Sequence, residues 1–217
     1  MRRFFTTLAI FALASPLSAQ QRADTDPDDR VTGGGNFPAG WQARVDRDQP
    51  ATDVRFMAMG DGFHATMGPA AVFYRTDWDM SSGDYAVSAR FSQLKAPAHP
   101  EAYGIAIGGR DLAGPGQEYT YFLVRGTGEY FIATRKGEER TVQTNWTAHS
   151  AIQKQDAAGR QANVLGARVA GNDVIFTVNG QEVARKPRTE VSTDGIFGFR
   201  VNHNLDVHID QITRGRR

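Results

Sequence analysis

Two aspartates flank a histidine near the end of the chain, at Asp206, His208 and Asp210. Alternate residues of a β-strand point to the same face, so the three side chains would project together. Such a set could chelate a metal ion or supply an acid and a nucleophile for hydrolysis. The two aspartates would lie about 13 Å apart, however, whereas retaining hydrolysis needs carboxyl groups at about 5–5.5 Å. We therefore favour the solvated face of a terminal strand and predict no metal site or catalytic residue here.

A second group of side chains suits a ligand rich in hydroxyl groups. Trp146 lies in a polar stretch, residues 144–149, while Arg200, Asn202 and His203 cluster at the end of one apparent strand. An aromatic ring can cover the apolar face of a sugar while planar polar groups bind its hydroxyls. The alternatives are a tryptophan that packs a loop and an asparagine-rich turn that satisfies its own hydrogen bonds.

Three further residues complete the predicted ligand-binding set: Tyr103, Tyr121 and Arg125. Tyr121 and Arg125 share one face of the strand that residues 118–125 predict, together with Tyr119 and Leu123. Both faces of that strand are partly apolar, which indicates a central strand whose outer side is either covered or lines a groove. Tyr103 either presents its ring at the mouth of the fold or packs in the core.

Strands must position these side chains, because apolar and polar residues alternate along most of the chain. The pattern is clearest in residues 161–212, where Asn179-Gly180 also supplies the dipeptide that best fits a type I′ hairpin turn. About a dozen closely spaced strands predict an all-β, two-sheet antiparallel sandwich of the jelly-roll kind. Residues 148–159 are the one candidate helix, with a loop over a sheet edge as the alternative.

Composition limits the partners. The chain of 217 residues has 40% hydrophobic content, enough for one well-packed domain. Its 25 basic and 24 acidic residues nearly cancel, so we predict no binding to nucleic acid. Beyond the N-terminal segment no stretch is apolar enough to span a bilayer, so we also predict no membrane insertion. The absence of cysteine excludes disulfides and thiolate chemistry, and no cofactor is predicted.

The N-terminus has the pattern of a secretory signal. Arg2 and Arg3 precede an apolar run, and cleavage is expected after Ala19, which predicts a periplasmic or extracellular protein. Residues 20–36 are polar and end in three glycines, so we predict a flexible linker. The β-sandwich would then occupy residues 37–213 and a basic tail residues 214–217.

The linker also contains three alternating aspartates, at positions 24, 26 and 28, which is how a calcium loop begins. Asp29 occupies the place of the required turn glycine, and Gly35 the place of the closing glutamate. The spacing therefore argues against a calcium site of this type.

Several segments resemble the concanavalin A-like lectin and glucanase superfamily. They span Trp41 to Ile212 and comprise residues 83–91, 102–109, 119–125, 174–180 and 195–200. The resemblance includes laminin G-like modules and bacterial secreted domains related to 3-keto-disaccharide hydrolases. It implies a sandwich fold and a sugar-related role, but shape-coding motifs of this kind say little about activity.

Catalytic members of the superfamily carry acidic triplets that this chain lacks, since no Glu-x-Asp-x-Glu pattern occurs. The resemblance therefore favours a secreted, non-catalytic, lectin-like module that binds a glycan. The alternatives are a glycoside hydrolase that uses displaced carboxylates and a domain that contacts another envelope protein. For the hydrolase, the residues to test are Glu101, Glu118, Asp206 and Asp210.

Overall fold

The computed structural model describes residues 27–216, which form a sandwich of two seven-stranded antiparallel sheets. The strands are β1 Gln42–Val45, β2 Val54–Met59, β3 Gly62–Met67, β4 Ala71–Asp79, β5 Tyr85–Gln93, β6 Ala102–Arg110, β7 Glu118–Arg125, β8 Glu129–Lys136, β9 Glu139–Ala148, β10 Gln161–Ala170, β11 Asp173–Val178, β12 Gln181–Pro187, β13 Ile196–Val201 and β14 Asp206–Arg216. The predicted all-β, two-sheet antiparallel jelly-roll sandwich is confirmed.

The order of strands in each sheet differs from their order along the chain. Sheet A has the order β1-β4-β13-β6-β7-β8-β9, and sheet B has the order β12-β11-β10-β5-β14-β3-β2. Because β13 lies between β4 and β6, and β14 lies between β5 and β3, the C-terminal strands sit inside both sheets. The fold therefore closes only when the end of the chain is in place.

The main core lies between the sheets and follows from the alternation in the sequence. In β5, for example, Tyr85, Val87, Ala89 and Phe91 are all buried, whereas the residues between them are partly exposed. Phe91 meets Phe199 of sheet A edge-on, with ring centroids 5.8 Å apart. Burial of one strand face on each sheet accounts for the tight packing of the two layers.

The predicted dipeptide Asn179-Gly180 forms the turn of the β11–β12 hairpin. Asn179 and Gly180 both have positive φ angles, 51° and 81°, as a type I′ turn requires. The Asn179 side chain also accepts a hydrogen bond from the Val164 backbone N–H at 2.9 Å and donates to the Ala151 carbonyl at 2.8 Å. The turn therefore fixes the neighbouring strand β10 as well as its own hairpin.

Two strands and one loop differ from the sequence-based assignment. β1 and β9 were not predicted, and most of β9 is exposed at the edge of sheet A, where no apolar alternation is needed. The candidate helix at residues 148–159 is a loop of turns that follows β9. Across residues 27–216, no helix is long and apolar enough to cross a membrane.

Both ends of the described chain pack more closely than predicted. In the proposed linker, the Asp29 N–H donates to the Asn204 side chain at 2.8 Å, and the Gly35 N–H donates to the Val54 carbonyl at 3.0 Å. The segment 27–36 is therefore held against the sandwich and is not a free linker. The proposed basic tail continues β14 as far as Arg216, which pairs with Tyr85 of β5. The predicted signal, residues 1–19, and residues 20–26 lie outside the described residues.

Candidate ligand groove on sheet A

The outer face of sheet A carries a second apolar cluster, separate from the core. Neighbouring strands place their outward residues side by side: Tyr119 pairs with Arg135, Tyr121 with Ala133, and Leu123 with Phe131. The cluster also includes Val72, Tyr74, Ala102, Ala106 and Leu112, with Trp146 and Ile196 packed against it. This confirms that β7 is a central strand with two apolar faces, as its sequence predicted.

A groove of about 430 Å³ opens on this face. Its floor comes from β7 and β8, one wall from the edge strand β9, and the other from the end of β13. The lining residues are Tyr121, Leu123, Phe131, Arg140, Val142, Asn145, Trp146, Arg200 and Asn202. Aromatic rings, amides and guanidinium groups thus converge in one place, and none of these lining residues is a carboxylate.

Arg200 is buried beneath the groove and is held by an acidic partner. Its two terminal nitrogens donate to the two Asp46 carboxylate oxygens at 2.7 and 2.6 Å. Burial would raise the pKa of Asp46, but the charges of Arg200 and Arg135 and the hydrogen bonds from Arg200 outweigh it, so that pKa lies below its usual value. The pair leaves the guanidinium 6.0 Å from the centre of the Tyr121 ring.

Tyr121 stays protonated over the physiological pH range. Burial raises the pKa of its hydroxyl, and the positive charges of Arg200 and Arg140 only partly offset this effect. A protonated phenol can both donate and accept a hydrogen bond. The floor of the groove therefore offers a neutral polar group between two cationic ones.

Trp146 lies between an aromatic ring and a cation. Its ring centroid is 5.0 Å from that of Phe131, and the Arg125 guanidinium carbon lies 4.2 Å from its centroid. Glu129 orients Arg125 by accepting a hydrogen bond at 2.9 Å from its Nε and contacting a terminal nitrogen at 2.7 Å. The tryptophan ring is thus fixed from below and from one side, with its remaining surface toward the groove.

The polar corner after β13 joins the groove to the N-terminal segment. Asn202 lines the groove and donates to Glu101 at 3.1 Å. The adjacent His203 does not line it; the ring nitrogens of that histidine lie 2.8 Å from Glu101 and 3.2 Å from Asp28. His203 thus positions the carboxylate that holds Asn202.

Tyr103 lies on the opposite side of sheet A, inside the core. It is fully buried and stacks on Phe91 with ring centroids 5.4 Å apart. Residues 103 and 105 of β6 point between the sheets, so the outer face of this strand belongs to its other residues. Of the seven predicted binding residues, four line the groove, Arg125 supports it, His203 lies behind it, and Tyr103 is not part of it.

The acidic triplet lies far from the groove, on the outer face of sheet B. Asp206 contacts His64 of the neighbouring strand at 2.7 Å, whereas Asp210 lies 3.7 Å from His208 and 3.6 Å from Arg90. Asp206 thus pairs with His64, whereas Asp210 lies near His208 and Arg90, so the three side chains do not converge on a common centre. Within residues 27–216, no three His, Cys, Asp or Glu side chains are arranged to hold a metal ion.

The four carboxylates proposed for hydrolysis are dispersed. Glu118 hydrogen-bonds the Ser192 hydroxyl at 2.6 Å, at the opposite end of β7 from the strand end where Glu101 lies. The length of β7 separates these two by about 20 Å, while Asp206 and Asp210 belong to the other sheet. Glu101 and Glu118 therefore lie much farther apart than the roughly 5–5.5 Å that retaining hydrolysis requires.

The sequence did not single out Phe131, Arg140 and Val142 as groove residues. Phe131 belongs to a predicted strand, but the face to which its side chain points depends on how β8 pairs with β7. Arg140 and Val142 lie on β9, whose polar, exposed sequence does not show an alternating pattern. The one indication in the sequence that β9 contributes to the site was the presence of Trp146 in the same segment.

No protein-family model matches the chain, and no curated protein matches it by sequence. Solved structures do match. The carbohydrate-binding module CBM66 from Bacillus subtilis superimposes with a TM-score of 0.58 at 11% identity, covering 81% of this chain and 94% of that one. The β-glucanase of Bacillus licheniformis has a TM-score of 0.56 at 10% identity, over 84% of this chain and 95% of the enzyme.

A third structure is a Bacillus subtilis protein of unknown function with a galectin-like fold. It has a TM-score of 0.56 at 13% identity, covering 82% of this chain and 90% of its own. At such low identity these similarities define architecture and leave activity open. Together they show that this chain shares the jelly-roll β-sandwich fold of these proteins.

Proposed function

We propose that this protein is a non-catalytic, lectin-like module that binds a glycan in the groove on sheet A. The observation that carries the proposal is the convergence of Trp146, Tyr121, Arg200 and Asn202 on that groove. Aromatic rings offer flat apolar surface to a pyranose ring, and the amide and guanidinium groups can bind its hydroxyls.

The ordered surroundings of these side chains support the proposal. Asp46 holds Arg200, Glu101 holds Asn202, and Arg125 stacks on Trp146. Preorganised side chains lose little conformational entropy when a ligand binds, which favours recognition of weakly bound, polar ligands. The resemblance of the fold to a carbohydrate-binding module agrees with this role.

The arrangement of carboxylates favours binding over hydrolysis. The groove lining has no acidic side chain, and Asp46 is already committed to Arg200. The similarity to the β-glucanase is a similarity of fold. In this chain Glu101 and Glu118 lie at opposite ends of β7, and Asp206 and Asp210 belong to the other sheet. A glycoside hydrolase would need two of them within reach of one glycosidic bond.

A glycan array tests the proposal, with the purified protein applied in the presence and absence of calcium. We expect at least one glycan to bind without being hydrolysed, and Trp146→Ala to weaken that binding about tenfold or more. Met59→Ala is the matched control, since Met59 is an exposed apolar residue on β2 of the other sheet.

Unfolding midpoints of both variants separate lost binding from lost folding. Equal binding by the Trp146→Ala protein would place the site elsewhere. Hydrolysis of the bound glycan would favour the enzyme instead, and a protein that binds no glycan would favour a role in contacts with another envelope protein.

We also propose that the protein acts in the periplasm or outside the cell. The proposal depends on the secretory pattern of residues 1–19. Fractionation of cells that express the full chain, followed by mass determination, tests it. Recovery of the uncleaved chain in the cytoplasm would contradict it.

A further inference from the structure

The groove has an excess of positive charge on its β9 side. Arg140 lines the groove, and Arg135 lies directly opposite it on the paired strand β8. Among residues 27–216, neither guanidinium group has a carboxylate partner within 4.0 Å, in contrast to Arg125 and Arg200. Two like charges facing each other across a strand pair repel one another.

The described groups around Arg140 do not neutralise its positive charge. Its guanidinium lies 6.0 Å from the Phe131 ring and close enough to the Tyr121 hydroxyl to oppose the rise in the pKa of that group. Asp46, whose pKa Arg135 also lowers, is engaged by both terminal nitrogens of Arg200. In the part of the chain that the structure describes, no carboxylate therefore pairs with the guanidinium groups of Arg140 and Arg135 on the β9 side of the groove.

We infer that the ligand of this groove is an anionic glycan, whose carboxylate or sulfate group contacts Arg140. This inference rests on the proposed glycan-binding function and specifies its ligand class. A guanidinium group donates two parallel hydrogen bonds to either anion, and such charge-assisted bonds are stronger than those to neutral hydroxyls. A bound anion would also relieve the repulsion between Arg140 and Arg135.

Calorimetry with matched oligosaccharides tests the inference. One pair compares an oligogalacturonate with its methyl ester, and the other compares sulfated with unsulfated malto-oligosaccharide. We expect one anionic member to bind about tenfold or more tightly than its neutral partner, with affinity falling as salt is added. The pair that shows the preference identifies the anion as carboxylate or sulfate.

Variants locate the charge effect. Arg140→Gln should remove most of the preference for the anionic member, whereas Arg168→Gln should not change it. Arg168 is the control because it is a partly exposed arginine of β10, on the other sheet. Arg135→Gln should reduce the preference less, because Arg135 lies beside the groove lining.

The outcomes separate this inference from the proposed function. Binding of neutral and anionic sugars with equal affinity, still sensitive to Trp146→Ala, would overturn the anionic ligand and leave the glycan site intact. A preference that survives in Arg140→Gln would also overturn it. If no sugar of the array or of these pairs binds, both proposals fail.

Discussion

Arg200 and Asp46 form a doubly hydrogen-bonded ion pair, at 2.7 and 2.6 Å, between positions 154 residues apart in the chain. The pair connects the centre of sheet A to the turn that follows its edge strand β1. Arg200 is 8% exposed, so its charge depends on this partner. The pair therefore fixes both the guanidinium of the groove and the edge of the sheet.

Removal of the acidic partner should destabilise the fold. In Asp46→Asn the Arg200 charge remains buried without a counter-ion, and we expect the free energy of unfolding to fall by about 3 kcal/mol. Urea unfolding measures the change. Asp77→Asn is the control, because its pair with Arg75 is exposed to solvent and should contribute little to stability. Equal losses in the two variants would contradict the structural role of the buried pair.

The same pair predicts how stability depends on pH. The pKa of Asp46 is lower in the folded protein than its ordinary value of 3.8, so the unfolded chain binds the proton more tightly. The contribution of Asp46 is therefore complete above this value and is lost as the pH falls through the lower, folded-state pKa. In urea titrations, the stability gap between the natural protein and Asp46→Asn should narrow below about pH 4. A gap that stays constant down to strongly acidic pH would be inconsistent with this linkage.

Tyr103 and Trp146 should respond to truncation in opposite ways. Tyr103→Ala opens a cavity beside Phe91, and we expect it to lower the free energy of unfolding by about 3–5 kcal/mol. Trp146→Ala removes a half-buried ring, so it should affect glycan binding more than stability. Thermal melts of the two variants provide the comparison. An unchanged melting temperature for Tyr103→Ala would mean that this ring is not in the core.

The β11–β12 turn predicts a glycine effect that comes from the backbone alone. Gly180 has φ of +81° and nothing within 4 Å of an added Cβ, so Gly180→Ala should cost about 1 kcal/mol through its left-handed conformation. Gly215 has the same open surroundings without a positive φ. Gly215→Ala should therefore be neutral or slightly stabilising. Urea midpoints that fall equally in both variants would rule out a backbone origin.

The sequence predicted the strands where one face is buried, because alternation then has a physical cause. It succeeded for β5 and for β7, whose bounds at Glu118 and Arg125 agree with the predicted strand. It missed β9, since an exposed edge strand needs neither alternation nor apolar residues. The wall that carries Arg140 was therefore absent from the predicted site.

The sequence showed which residues of a strand share a face, but it did not show which of the two faces points into the core. Tyr103 and Tyr121 both belong to strands that are apolar on both sides, so either face could have been the core. The register of β6, β7 and β8 places Tyr121 outside and Tyr103 inside. Only the pairing of whole strands settles such a choice.

The sequence alone thus determined the fold class, the hairpin turn at Asn179-Gly180 and the polar character of a binding surface. Those features depend on local preferences and on short-range periodicity. The tertiary structure decided which sheet face became a groove, and it brought Asp46 to Arg200 and Trp146 to Arg125. These contacts join residues of different structural elements that are far apart in the sequence, and only the packing of two complete sheets brings them together.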